Sequence, residues 1–291
     1  MEETSKDDQK QQQQEEELGG TQQQEPTMTK KQMKRLKKAQ YLAEKKKMKK
    51  QERKAKRAAH IEDVRARKGP LTPEELDKVR QAAMDKVNAR RARREALREN
   101  VKKSLVDGQR IVIDLDFESY MHEGEIKSII QQIAFSYGMN KNAAHPCHLI
   151  LSSVAGAIRQ AFDRQFKDNG AWYVTQTDTS YLDYFSEEKD KLVYLTAESE
   201  NEIRELDKDR IYVVGGIVDK NRHKGLCYKR AVEHGIETAR LPIGEYIKLR
   251  RSNVMCTNHV VEMLVRWQDT KDWQQAFESV VPERKRETAS S

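Results

Sequence analysis

The side chains that could do chemistry concentrate between Ile211 and Glu262. An apolar run, Ile211-Tyr212-Val213-Val214, ends in Gly215-Gly216, and Asp219 follows within a few residues. Lys220, Asn221, Arg222, His223 and Lys224 come next, so a carboxylate lies beside a short basic run. Without Cβ atoms, a glycine pair lets the backbone approach a ligand or another chain segment closely. The same pair also suits a tight turn that ends a strand, and spacing alone leans toward the turn. Further on come Leu241-Pro242-Ile243, Arg250-Arg251, Val254 and Thr257-Asn258. Neither GxxxxGK(S/T) nor GxGxxG occurs, so no phosphate loop or Rossmann fingerprint fits. His145-Pro146-Cys147-His148 has the residue types of a metal site. No second ligand pair has zinc-like spacing, so no metal is expected. No Ser/His/Asp or Cys/His nucleophile pattern is evident.

Strands and helices must position those residues. Ile111-Val112-Ile113 reads as a short buried strand. Further strand signals fall at residues 148–154, 172–176, 192–195, 211–214 and 238–241. Ile126, Ile129, Ile130, Ile133 and Tyr137 recur at helical spacing. Residues 157–166 predict another helix, and helices over about 257–268 and 272–280 close the chain. Alternating strands and helices imply an α/β fold with a parallel sheet covered on both faces. Such sheets bind ligands at the carboxyl ends of their strands. Three loops therefore qualify: after Leu195, after Val214, and between Leu241 and Thr257.

Charge divides the chain of 291 residues, whose formal net charge is +8. Residues 1–27 carry two Lys against eight acids, and residues 28–105 carry 28 Lys/Arg against ten. The remainder holds 25 against 29, so the excess positive charge lies in one arm. A basic arm on a slightly acidic body is the footprint of a nucleic-acid partner. Composition predicts a disordered acidic, Gln-rich tail over 1–27, a basic helical arm over 28–105, a folded domain over 106–282 and a loose tail over 283–291. In residues 30–57 the apolar Met33, Leu36, Leu42 and Met48 form only a thin stripe. Gly69-Pro70 breaks that segment. Thr72 then suits an N-cap, Pro73 the first helical position and Glu75 a capping box. That second helix is expected to reach about Lys103 and to carry Arg90, Arg91, Arg93 and Arg94 as a cationic face. Three widely spaced cysteines argue against a disulfide framework. No apolar run approaches transmembrane length, and the start resembles neither signal nor transit peptide. Nucleus or cytoplasm is the expected address.

The run VGGIVDKNRHKGL over 214–226, with RLPI at 240–243 and TNHVVE at 257–262, resembles the tRNA purine-9 N1-methyltransferases. These are a monomeric branch of the trefoil-knotted SPOUT methyltransferases, and the likeness covers roughly Arg110 to Arg286. It implies a C-terminal knot, S-adenosylmethionine as cofactor, tRNA as partner, and neither metal nor membrane. It assigns cofactor binding, largely through backbone groups, to Leu195, Thr196, Gly215, Gly216, Lys220, Asn221, Leu241, Ile243, Val254 and Thr257.

Within that resemblance Asp219 is the candidate base. Methylating N1 of guanine requires loss of the N1 proton, which a carboxylate within hydrogen-bond reach could accept. Asp219 could instead orient the base or a water, or cap the following turn. Asp114 and Gln132, eighteen residues apart, match positions that border the family's pocket and would bond the purine edge. Leu115-Asp116-Phe117 stands where relatives often carry Cys-Ser-Phe, which makes Asp116 a rival. Lys220, Arg222, His223 and Lys224, with Arg250 and Arg251, could hold phosphates near the target nucleotide. Arg90, Arg91, Arg93 and Arg94 are better placed to track distant tRNA backbone. The expected activity is methylation of guanine-9 of tRNA by a monomer. One alternative is adenine at that position, or both purines. Adenine N1 already carries a lone pair, so a base would matter less there. The other is a non-catalytic RNA-binding module of a tRNA-processing complex.

Overall fold

The computed structural model describes residues 29–69, 72–166, 172–248, 255–283 and 286. The expected tail over 1–27 and most of that over 283–291 lie outside the described residues. So do Arg250, Arg251 and Val254. The chain divides into two compact units, residues 1–82 and 83–291.

Helix α1 (Lys30–Lys68) belongs to the first unit. Its sparse apolar side chains, Met33, Leu36, Leu42 and Met48, are all exposed. A helix polar on nearly every side has no core to bury into. Ion pairs one turn apart, Lys56–Glu52 at 2.7 Å and Arg67–Asp63 at 3.0 Å, add slight local support. Helix α2 (Pro73–Asp107) opens as the sequence predicts. Glu75 N–H donates to Thr72 Oγ1 at 3.3 Å, and Thr72 N–H returns to Glu75 Oε2 at 2.9 Å. The unit boundary falls inside this helix, and its last turns bury Val101 and Ser104 in the second unit.

That second unit continues with β1 (Arg110–Asp114), α3 (Glu123–Asn140), β2 (His148–Ser152) and α4 (Gly156–Gln165). Next come β3 (Thr175–Gln176), α5 (Tyr181–Tyr184), β4 (Leu192–Leu195) and β5 (Ile211–Gly215). It closes with α6 (Leu226–Glu233), β6 (Glu237–Ala239), α7 (Ile243–Tyr246), α8 (Thr257–Thr270) and α9 (Trp273–Val280). The six strands form one parallel sheet in the order β3-β2-β1-β5-β4-β6.

Successive strand side chains point to opposite faces, and both faces here are apolar. Ile111, Ile113, Leu149, Leu151, Val193 and Val214 pack on one side with α3, α4, α8 and α9. Val112, Ile150, Tyr194, Ile211 and Val213 pack on the other against Tyr181, Phe185 and Ala231. Three expected strands are shorter than the runs that suggested them, and β2 ends at Ser152 where the run continues to Val154. Only Thr175–Gln176 pairs at the β3 edge, because Trp172 stacks on Tyr137 at 4.4 Å instead. Strand β6 stops at Ala239, short of Pro242, which has no N–H to continue a ladder.

Candidate active site

Strands β4, β5 and β6 end level with one another, with Leu195 in register with both Val214 and Ala239. A cavity of about 580 Å³ opens at those carboxyl ends. Leu195 and Thr196 supply one wall, Gly215, Ile217 and Asp219 a second, and Leu241 and Ile243 a third. Met255, Thr257 and Val260, at the start of α8, complete it. Backbone bonds lace the loop after β4 to the end of β6 and the segment that follows it. Thr196 N–H donates to Ala239 O at 2.9 Å, Arg240 N–H to Asn201 O at 2.7 Å, and Ile203 N–H to Arg240 O at 3.1 Å. The Thr257 hydroxyl donates to Gly215 O at 2.8 Å and so ties α8 to the end of β5. Two acids that the sequence reading passed over, Glu198 and Glu202, also line the cavity, and Glu202 pairs with Arg240 at 3.1 Å. Their only sequence signal is an acidic loop after a strand.

The Asp219 loop has an unusual backbone. Lys220 and Asn221 both lie in the left-handed region, at φ 54° and 62°. Asn tolerates that region; Lys rarely enters it. Asp219 stabilises the turn from within: Oδ1 accepts Asn221 N–H and Oδ2 accepts His223 N–H, both at 2.8 Å. The capping role open to this residue is therefore real, and the carboxylate lines the cavity as well. His223 lines it too, with its ring edge-on to Tyr120 at 5.1 Å between centroids.

The glycines serve different ends. Gly215 lines the cavity, whereas a Cβ on Gly216 would come within 2.5 Å of Asp114 O and 2.6 Å of Leu115 Cδ2. Gly216 lets β5 pass close to β1, and its N–H donates to Asp114 O at 2.7 Å. Of the other expected cofactor residues, Asn221 lines the cavity; Lys220, like Gly216, is not among its lining residues.

Asp114 turns away from the expected role at a purine edge. It is fully buried, and protein donors occupy both oxygens. Oδ1 accepts Asp116 N–H at 3.1 Å; Oδ2 accepts Tyr194 O–H at 2.9 Å and faces Arg230 Nη1 at 3.3 Å. Burial pushes its carboxyl up, while the Arg230 guanidinium pulls it down. Arg230 also reaches Asp116 at 3.2 Å and lies 4.1 Å over the Phe117 ring. The rival Asp116 keeps an exposed carboxylate. Gln132 Oε1 accepts Asn258 N–H at 3.4 Å, which satisfies a donor in the first turn of α8.

The basic candidates separate as well. Arg222 forks onto Glu125 with two 2.8 Å bonds and donates to Tyr120 O at 3.1 Å. A guanidinium so engaged is not a free phosphate ligand. Lys224 is exposed on the same loop, and Arg90, Arg91, Arg93 and Arg94 are exposed on α2. The residues of the metal-like run scatter. Cys147 is buried and exchanges backbone bonds of 2.8 Å with the Asn140 amide. His148 bonds the Thr175 hydroxyl at 2.7 Å, and His145 faces Asp269 at the surface. Burial pushes the cavity-lining Cys227 thiol up to about 12, which keeps it a neutral, poor nucleophile.

A level parallel sheet with a cavity at three strand ends defines an α/β domain of the class that binds its ligand beyond the carboxyl ends of its strands. The family model of tRNA (guanine(9)-N(1))-methyltransferase TRM10/TRM10A matches residues 26–286. The chain belongs to that family. It is 44% identical over 178 residues to the tRNA (guanine(9)-N1)-methyltransferase of Schizosaccharomyces pombe, covering 60% of this chain and 59% of that protein. It is 37% identical over 189 residues to tRNA methyltransferase 10 homolog A of Bos taurus, covering 65% and 56%. The aligned region thus spans less than two thirds of those relatives. The crystal structure of spTrm10(74) superposes with a TM-score of 0.58 at 42% identity, covering 62% of this chain and 97% of that one. The spTrm10 full-length SAH complex gives 0.57 at 41%, covering 62% and 98%.

Proposed function

We propose that this chain methylates N1 of guanine at position 9 of tRNA, with S-adenosylmethionine as donor. The observation that carries this reading is Asp219 on the wall of a cavity at three strand ends, in a chain of this family. The lining suits the donor. Leu195, Ile217, Leu241 and Val260 offer apolar walls for an adenine ring, and Glu198 and Glu202 offer acceptors for hydroxyl and ammonium groups. SAH in the similar spTrm10 structure supports the same choice. The donor contributes a methyl group on a sulfonium, which leaves as a neutral thioether.

The chain's own part is positioning and proton removal. Guanine N1 gains its lone pair only by losing its proton. Each Asp219 oxygen accepts one loop N–H and keeps a further lone pair for that proton. A trefoil knot through these loops fits the backbone bonds that join the loop after β4 to the segment after β6 and the Thr257 bond to Gly215 at the end of β5. The basic residues of α1 and of α2 ahead of its last turns track tRNA backbone as an arm, Val101 and Ser104 already belong to the body, and the enzyme works as a monomer in nucleus or cytoplasm.

Labelled S-adenosylmethionine with unmodified tRNA transcripts carrying G9 or A9 tests this reading. Product should form at G9, and Asp219→Asn should lower kcat by about 10²-fold or more. Product at A9 would make the chain an adenine or dual-purine enzyme. Tight tRNA binding with no product would make it a binding module.

A further inference from the structure

The loop that carries Asp219 is held from outside, by residues about a hundred positions earlier. Arg222 forms two parallel bonds of 2.8 Å to Glu125 and a third to Tyr120 O. The His223 ring meets Tyr120, and Val218 N–H points at Met121 Sδ at 3.3 Å. Every one of these contacts falls on residues 120–125, the approach to α3 and its first turn. Glu125 is itself fixed there, because His122 N–H donates to its Oε2 at 2.9 Å. The Arg222 guanidinium beside it holds its carboxyl down at about 2. Left-handed Lys220 and Asn221 give the loop reason to relax, and such strain persists only where surroundings over-determine it.

We propose that Glu125 is a positioning residue for Asp219. Its forked pair with Arg222 latches the loop of residues 216–225 in the conformation that keeps the Asp219 carboxylate on the cavity wall. The inference deepens the proposed methyl transfer and rests on that reading for its kinetic consequence. The latch itself is a property of the fold.

Glu125→Gln in the full chain is the cleanest probe. Gln also satisfies a capping box, so the start of α3 is kept while the charge facing Arg222 is lost. Amide hydrogen exchange over 216–225 should speed up several-fold, with exchange in the strands unchanged. At saturating donor and tRNA, kcat should fall about tenfold while KM for tRNA moves little, as expected for a misplaced group. Arg222→Gln should match it, and the double variant should be no worse than either single one. Unchanged exchange in Glu125→Gln would overturn the latch. Additive losses in the double variant would also overturn it. A lower KM for tRNA in Glu125→Gln would overturn it too, by making Arg222 a parked phosphate ligand. Wild-type protein inactive on every tRNA would sink the proposed function alone; loop exchange would still decide the latch.

Discussion

The Asp114 carboxylate and the Arg230 guanidinium form the most buried ion pair among the described residues. Asp114 is fully buried and Arg230 nearly so, at 0% and 13% side-chain exposure. A buried pair contributes little net stability over apolar substitutes, but removing one partner strands the other. Arg230→Met keeps an apolar stem over Phe117 and leaves Asp114 with only Tyr194 and the Asp116 amide. It should lower stability by about 3–5 kcal/mol. Denaturant unfolding should show a lower midpoint at unchanged slope. A change near zero would mean that Asp114 is already neutral in the folded protein. The pair lies directly beneath Gly216, whose N–H reaches Asp114 O, so it supports the end of β5 without touching the cavity.

Among the elements, the start of α3 carries the clearest pH dependence. Glu125 is held at about 2 against 4.5 for a free side chain. A depressed carboxyl contributes stability that is fully present above its unfolded value and is lost as pH falls through its folded one. The Glu125–Arg222 contribution should therefore be constant above about 4.5 and vanish toward pH 2. Thermal midpoints of wild type and Glu125→Gln, measured from pH 6 downward, should differ at the top of that range and converge at the bottom. A constant gap would show that the variant's defect is not the lost charge pair. The same element connects to two cavity walls: Gln132 on α3 accepts from the first turn of α8, and Thr257 on α8 holds Gly215.

For the whole molecule, the division of charge has a direct consequence. Helix α1 holds 18 Lys/Arg against four acids and leaves Met33, Leu36, Leu42 and Met48 exposed. No helix among the described residues is long and apolar enough to cross a membrane. So many like charges kept together suit a polyanionic partner. Removing residues 1–82 should weaken tRNA binding by at least about tenfold and flatten its salt dependence, while affinity for S-adenosylmethionine stays nearly unchanged. Isothermal titration with each ligand reads both. The cut belongs at the unit boundary, because a longer deletion would remove Val101 and Ser104 from the core. Equal loss of both affinities would contradict a modular arm.

Much of this protein was legible without coordinates. Alternating apolar runs and helical stripes imply a parallel α/β sheet, because a strand buried on both faces must be apolar at every position. The Thr72–Glu75 capping box is equally local, since both partners lie within one turn. Seven of the ten expected cofactor residues line the cavity, because the loops after parallel strands must gather at one sheet end. The tertiary structure decided what those patterns do not carry. Arg222 reads as a phosphate ligand until Glu125, 97 residues away, occupies it. Asp114 reads as a pocket acid until Arg230, 116 residues on, draws it inward. Periodicity reports which face of an element is buried. Which charge meets which is settled only when distant elements pack, since a fork or a buried pair depends on ångström geometry between segments far apart in the chain.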